Sequence, residues 1–239
     1  MNDSTYHFIA VLIRLIIWGG WKKSARLEGA ENLQGDGPAI FIGNHAESLG
    51  PIGCVSMLPL RLYPWIRPEM LNLRTNRDYM RANFIEKELH LKPPLSSLAA
   101  QALSRVVVPL LNGIGSIPAF QQNHLMEIGD TVEQSMTHLR QGHYLLVFPE
   151  VPEWESDPKT GIRRFSYSVL WLAELYGRET GKPLSFYPVC IHPTHQIRLG
   201  QAVLLGEQEV ASQAQKRMWI GLLERSIQEM YLEIEKKNH

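Results

Sequence analysis

Short runs of consecutive apolar residues alternate along this chain with longer segments in which apolar residues recur at helical spacing. Apolar runs of this length between turn residues are typical of buried strands. They predict strands over residues 39–43, 144–148 and 184–191, a short strand that ends within 115–118, and an edge hairpin over 197–205. Helical spacing predicts helices over residues 98–111, 126–139, 166–176 and 211–237, and another that starts near Pro51.

The last predicted helix has the clearest apolar face. Its apolar residues recur three and four positions apart, as expected for a helix that packs one side on a core. The predicted face consists of Trp219, Leu222, Leu223, Ile227, Met230, Tyr231 and Ile234. Residues 60–94, in contrast, are rich in Arg, Pro and Asn and predict only helical pieces without firm bounds.

Continuous apolar strands that alternate with helices are typical of a mostly parallel central sheet flanked by helices. The sequence therefore predicts an α/β domain over residues 24–239. Ligands of such sheets bind at the carboxyl ends of the strands. His45, residues 118–121 and Glu150 each follow the end of a predicted strand. We expect these residues to converge on one edge of the sheet and to form a site there.

The first 23 residues contain an apolar run over 8–18 that is too short to span a bilayer, which needs about 20 such residues. Trp21, Lys22 and Lys23 follow the run, and aromatic rings beside cations suit the lipid headgroup region. We expect residues 1–23 to form an interfacial helix that anchors the chain peripherally on a membrane. A buried helix that covers one side of the core is the alternative.

Composition excludes some kinds of partner. The 24 basic and 24 acidic residues balance, which argues against a nucleic-acid partner because such binding needs clustered cations. Cys54 and Cys190 lie among apolar neighbours and are expected to be buried thiols, as in a reducing cytosol. His192 and His195 have the spacing of a metal pair, but the sequence offers no third ligand. We expect solvated loop histidines and no metal site.

Four short blocks in a fixed order resemble the glycerol-phosphate and lysophospholipid acyltransferase superfamily. Where that family has Asn-His-x-x-x-x-Asp, the chain has residues 44–50, and Gly-x-Ile-Pro-x-x-Arg corresponds to residues 115–121. Phe-Pro-Glu-Gly-Thr corresponds to residues 148–152, and a final block corresponds to 187–189. Each block alone is weak, but four in order are specific. The resemblance covers roughly residues 25–205.

The resemblance implies transfer of a fatty acyl group from an acyl-CoA or acyl-carrier-protein thioester to a lipid hydroxyl in phospholipid biosynthesis. It implies an enzyme on the cytoplasmic face of the membrane, without a metal or organic cofactor. His45 is the implied general base, a role suited to imidazole near neutral pH. The residues expected to bind substrate are Asn44, Ser116, Gln121, Pro149, Glu150 and Arg163. For Arg163, a solvated position beside Arg164 is the alternative.

The chain departs from the family at three functional positions. Gly50 stands where the family has the aspartate that orients the histidine, and Gln121 stands for the arginine that grips an acceptor phosphate. Val151-Pro152 replaces Gly-Thr. Glu47, two residues after His45, is our candidate for the missing carboxylate, and a solvated glutamate at a helix start is the alternative. These departures leave open a second hypothesis, a catalytically inactive relative that binds lipid or acts as a scaffold.

Overall fold

An eight-stranded sheet forms the centre of the protein. The computed structural model describes residues 6, 10, 11, 26–33, 37–46, 49–87, 89–120 and 125–238. The strands are β1 (Arg26–Glu28), β2 (Ala39–Gly43), β3 (Leu62–Ile66), β4 (Ile117–Pro118), β5 (Tyr144–Val147), β6 (Leu184–Ile191), β7 (Gln196–Leu199) and β8 (Val203–Leu205). Their order is β1-β7-β6-β2-β5-β3-β4, and β8 also pairs with β6. All neighbouring strands are parallel except β6 with β7 and β6 with β8.

Helices flank both faces of the sheet. They are α1 (Leu49–Met57), α2 (Leu73–Met80), α3 (Leu95–Ile114), α4 (Leu125–Arg140), α5 (Trp171–Thr180) and α6 (Gln213–Asn238). Successive residues of β2 contribute to different cores: Ile40 and Ile42 belong to the cluster packed with α4, α5 and α6, whereas Ala39 and Phe41 belong to the cluster packed with α1. The strand is therefore buried on both faces, which confirms the predicted mostly parallel α/β architecture.

Most predicted elements are present, and β2 and β6 have the predicted bounds. The strand β3 was missed because Pro64 interrupts its apolar pattern and proline is unusual inside a sheet. In α6 the buried seam is Ile220, Leu223, Ile227, Met230 and Ile234, with Trp219 and Tyr231 partly buried beside the core. The prediction for Leu222 was wrong, since this side chain is exposed.

The predicted edge hairpin over residues 197–205 is wrong. β7 and β8 do not pair with each other but follow one another along the same side of β6, where Val189 pairs with Leu199 and Phe186 with Val203. The intervening chain has one residue more than the β6 segment that it passes, as in a β-bulge. The offset falls beside Pro188, whose carbonyl accepts a hydrogen bond from the Gly200 N–H at 2.8 Å.

The N-terminal segment is described at three residues, all helical. Tyr6 and Ala10 are buried against the core, and the Tyr6 hydroxyl accepts a hydrogen bond from the Leu62 N–H at 3.0 Å. Val11 is exposed. At Tyr6 and Ala10 the chain thus covers the core, as in the alternative interpretation of this segment. The rest of residues 1–25 lies outside the described residues, and a membrane anchor over 1–23 stays a prediction.

Candidate functional site

The end of β2 is fixed to the end of β6 by the side chain of Asn44. This amide is 3 % exposed, and its Nδ2 donates a hydrogen bond to the Ile191 carbonyl at 2.8 Å. Its Oδ1 accepts a hydrogen bond from the Ile191 N–H, also at 2.8 Å. The donor and the acceptor of the Asn44 amide thus both pair with the backbone of Ile191 at the end of β6. Contact between Asn44 and a substrate stays a prediction, and the geometry gives Asn44 a positioning role for the next residue.

His45 follows directly and is exposed at the carboxyl end of β2. Its backbone N–H donates a hydrogen bond to Oε2 of Glu150 at 2.6 Å. The edge of its ring packs against Phe148, with the ring centroids 5.4 Å apart and the planes at 67°. The chain then turns at Ala46, whose φ is 41°. The imidazole is thus placed on the rim of the sheet by a fixed backbone and an aromatic neighbour.

Glu150 connects two segments of the chain at the carboxyl edge of the sheet. Its Oε2 accepts from His45, and its Oε1 accepts from the backbone N–H of Arg163 at 2.8 Å. Glu150 also forms an isolated antiparallel bridge with Phe165. The predicted meeting of His45 and Glu150 at one edge is therefore confirmed. Because each carboxylate oxygen already accepts a backbone N–H, Glu150 holds the loops in place.

The loop after Glu150 folds back on itself. The Val151 N–H donates to the Arg164 carbonyl at 3.2 Å, and Ser156 bridges with Arg163. Pro149 is buried, whereas the side chains of Arg163 and Arg164 are exposed. The structure thus brings the Arg163 backbone to the rim and leaves its guanidinium at the surface.

Gly50 lies against the backbone of the histidine turn. A Cβ atom at Gly50 would lie 2.1 Å from the carbonyl oxygen of His45 and 3.4 Å from that of Asn44. The shorter of these distances is far below any ordinary contact. Any side chain at this position requires the turn to move. In this conformation, the position where the family has its aspartate has room for glycine alone.

The second sequence block lies farther along the same edge. Its strand β4 is separated from β5 by β3, so Pro118 lies two strand spacings, about 10 Å, from the end of β5. The hydroxyl of Ser116 donates to the Leu111 carbonyl at 2.8 Å and so closes the end of α3. Gln121 and Glu47 lie outside the described residues, and the roles expected for them stay predictions.

The remaining candidates from the sequence are a possible metal site at His192 and His195 and the two cysteines. Among the described residues, no group of three or more His, Cys, Asp or Glu side chains is arranged to hold a metal ion. His192 is not a solvated loop residue: it is buried, and its two ring nitrogens lie 2.6 Å from Thr194 Oγ1 and 3.0 Å from Glu235 Oε1. Cys54 and Cys190 are free and buried as predicted, and burial raises the pKa of both thiols.

The sequence did not predict a cluster of titratable side chains at the opposite edge of the sheet, where β3 and β5 begin. Nδ1 of His138 and Nδ1 of His143 are 3.0 Å apart, and the Tyr63 ring centroid lies 3.9 Å and 4.7 Å from those of the two imidazoles. Burial, followed by the neighbouring His143 and Arg61, lowers the pKa of His138 to about 4. No local pattern marks this cluster, because α4, β3 and the start of β5 each contribute part of it.

The fold is similar to that of the 1-acyl-sn-glycerophosphate (LPA) acyltransferase PlsC from Thermotoga maritima. The two structures match with a TM-score of 0.55 over 96% of this chain and 83% of the PlsC chain, at 13% sequence identity. No family model matches the sequence, and no curated protein matches it. The likeness establishes a common fold.

Proposed function

We propose that this protein is an O-acyltransferase that moves a fatty acyl group from an acyl-CoA or acyl-carrier-protein thioester to the hydroxyl of a lipid acceptor. The observation that carries the proposal is the exposed imidazole of His45, held at the carboxyl edge of the sheet by the buried amide of Asn44 and the carboxylate of Glu150. The acyltransferase fold of PlsC and the four ordered sequence blocks support it.

In the proposed reaction His45 acts as general base. The imidazole accepts the proton of the acceptor hydroxyl while the oxygen attacks the thioester carbonyl carbon. The C–S bond then breaks, and the thiolate leaves and takes up the proton from the imidazolium. The products are an ester and a free thiol. The Phe148 ring beside the imidazole limits its rotation and favours one orientation.

We propose that a carboxylate from a position other than residue 50 orients the imidazole. Gly50 has no side chain and no space for one, and the described contacts of Glu150 are with the backbone of His45 and Arg163. Glu47 is therefore our candidate for the group that stabilises the charged imidazole. Replacement of Glu47 by glutamine keeps the size of the side chain and removes its charge. We expect this variant to transfer acyl groups more slowly than the wild type. Full activity would support the alternative that Glu47 is a solvated side chain.

The acceptor is proposed to lack a phosphate at the subsite of the second block. Gln121 lacks the charge and the forked donors of an arginine, and loss of a bond to a charged group weakens binding of a phosphate by about 1.5–3 kcal/mol. Neutral lysolipids, ornithine-type lipids and glycolipids suit such a site. Competition between lysophosphatidate and neutral hydroxy-lipids tests this, with Gln121→Arg as the comparison. A wild-type preference for lysophosphatidate would refute the proposal, and Arg163 would then be the first candidate to supply the charge.

The base is tested by His45→Ala. We expect a folded protein whose acyl transfer falls at least ~100-fold, the lower end of general-base contributions. The assay uses detergent-dispersed acceptors with acyl-CoA and acyl-carrier-protein donors. His90→Asn is the matched control, because His90 is an exposed histidine with a φ of 52°, which asparagine tolerates. Comparable rates for His45→Ala and the wild type would rule out the mechanism.

The alternative function is a catalytically inactive lipid-binding or scaffold protein, and the close approach of Gly50 to His45 favours it. A carboxylate at position 50 is excluded sterically in this conformation, so an orienting carboxylate has to come from another position, for which Glu47 is the candidate. Lipid profiles of cells without the protein separate the two hypotheses. Loss of one acylated lipid supports the enzyme, whereas an unchanged profile together with lipid binding in vitro supports the alternative.

A further inference from the structure

The helix α3 exposes large apolar side chains that an ordinary surface helix would bury. It is apolar enough over 20 residues to be a candidate membrane span, yet only 22% of its most apolar window is buried. The side chains that it buries are Ser96, Ala100, Ser104, Val108 and Ile114, of which three are small. The side chains that it exposes include Leu95, Leu98 and Val106, each between 61% and 62% exposed. An ordinary amphipathic helix buries such leucines.

Small and hydroxyl residues on the inner side serve close packing. The Ser96 hydroxyl donates to Glu86 Oε1 at 2.8 Å, and the Ser104 hydroxyl donates to the Ala100 carbonyl at 2.7 Å. The hydroxyl groups of Ser96 and Ser104 on the inner side of α3 therefore have hydrogen-bond acceptors within the protein. Leu89 and Leu91 in the preceding loop and Leu73 at the start of α2 are exposed as well. The apolar exposure thus extends beyond α3 to the elements around it.

Positive charge accompanies this exposed apolar face. Residues 61–115 contain eight Lys or Arg and four Asp or Glu, a net charge of +4 in a chain whose overall net charge is zero. Arg77 and Arg81 line a groove of about 270 Å³ together with Ser97, Leu98 and Gln101. The ion pairs of Arg77 with Asp78 at 3.5 Å and of Arg81 with Glu86 at 3.8 Å are solvent-exposed. Exposed pairs of this kind contribute little, so both guanidinium groups remain available to a phosphate.

We infer that Leu95, Leu98, Val106, Arg77 and Arg81 form a docking surface for an anionic lipid bilayer. The exposed leucines and the valine enter the region between headgroups and acyl chains, where burial of apolar surface is favourable. The two arginines meet lipid phosphates, with Ser97 and Gln101 as further hydrogen-bond donors lining the groove. Neither the apolar residues nor the charges alone identify the partner. Their combination on one exposed face matches an anionic membrane surface.

The geometry favours a helix that lies on the bilayer over one that crosses it. Arg105 is near the middle of α3, and a charge at the centre of a bilayer costs about 2.5–3.5 kcal/mol on insertion scales. One side of α3 also packs on α2, and its C-terminal end leads directly into β4. A peripheral position satisfies both constraints.

The docking surface is connected to the candidate site through β3. α2 follows the carboxyl end of β3, which is the edge of the sheet where His45 and Glu150 lie. Docking of the surface would bring that edge close to the lipid. This inference extends the proposed function, because an acyltransferase that modifies lipids needs its base at the membrane. It does not depend on residues 1–23.

Vesicle flotation without substrate tests the surface. The full chain is mixed with vesicles of phosphatidylcholine alone or with added phosphatidylglycerol. We expect binding to the anionic vesicles and a partition coefficient at least ~10-fold lower for the double variant Leu98→Gln, Val106→Gln. The control is the double variant Leu204→Gln, Met218→Gln, which changes two exposed apolar residues on β8 and α6.

The charge is tested in the same assay by the double variant Arg77→Gln, Arg81→Gln. We expect at least ~10-fold weaker binding to anionic vesicles, a smaller dependence on salt, and no change with neutral vesicles. The double variant Arg217→Gln, Arg225→Gln on α6 is the matched control, because it also removes two exposed positive charges. Equal binding of both double variants and the wild type would overturn the inference, as would a dimer that the Leu98→Gln, Val106→Gln variant disrupts. Activity on a short-chain acceptor in solution is measured in parallel, so failure of docking is distinguished from failure of the acyltransferase proposal.

Discussion

The carboxylate of Glu150 accepts a hydrogen bond from the backbone N–H of His45 at 2.6 Å across 105 positions of the sequence. Its other oxygen accepts from the backbone of Arg163. One side chain therefore fixes both the turn that carries the imidazole and the loop that folds over the same edge. The candidate site depends on this connection as much as on the histidine itself.

Glu150→Gln tests the connection. An amide has one acceptor oxygen, so one of the two backbone N–H groups loses its partner, at a cost of about 1 kcal/mol for groups this exposed. We expect a lower urea midpoint and faster tryptic cleavage at Arg163 and Arg164. Acyl transfer should fall through a lower kcat. Glu153→Gln in the same exposed loop is the control, and equal cleavage of the two variants would contradict the role of Glu150.

Introduction of an aspartate by Gly50→Asp, as in the acyltransferase motif that residues 44–50 resemble, should not increase activity. The new Cβ would lie 2.1 Å from the His45 carbonyl oxygen, and the turn must shift to relieve the clash. We expect a loss of about 1–3 kcal/mol in the free energy of unfolding, the usual cost of overpacking. Gly50→Ala should lose a similar amount, since the clash arises from the first side-chain atom. A stable and faster Gly50→Asp enzyme would show that the turn adopts another conformation.

Asn44 is predicted to act on stability more than on substrate affinity. Asn44→Ala leaves the buried N–H and C=O of Ile191 without their partner, which costs about 2–4 kcal/mol in total. Urea unfolding should show this loss. In the remaining folded protein kcat should fall while KM changes little, because the amide positions His45. A large rise in KM with unchanged stability would instead support direct substrate binding by Asn44.

Stability should decline in mild acid because of His138. Its pKa in the folded protein is lowered from 6.5 to about 4, so the unfolded chain binds the proton more readily. The contribution of His138 to the free energy of unfolding is fully present above pH 6.5. It is lost as the pH falls from 6.5 towards 4. Solvent screening limits the loss to about 1 kcal/mol because this side chain is only partly buried.

Urea unfolding at pH 7.5 and pH 5 measures this effect. The His138→Gln variant should lose less stability between the two pH values than the wild type, whereas the control His90→Asn should behave as the wild type does. The groups that face His138 are His143, Tyr63 and Arg61. An equal pH response of His138→Gln and the wild type would contradict the role of His138.

Local sequence patterns were enough to predict the strands β2 and β6, the α/β alternation and the meeting of His45 with Glu150 at one edge of the sheet. These features follow from local apolar periodicity and from the rule that parallel strands end together, neither of which requires distant contacts. The same reasoning failed for β3, whose pattern is interrupted by Pro64 although its neighbours β4 and β5 hold it in the sheet.

The surroundings of the histidine and the side of α3 that faces the protein depend on contacts between distant segments. The close approach of Gly50 to His45 and the lock between Asn44 and Ile191 depend on backbone positions set by distant segments. α3 packs on α2, and the side that it buries includes Ser96 and Ser104. A helical pattern states which residues share a face, but the packing partner decides which face is buried.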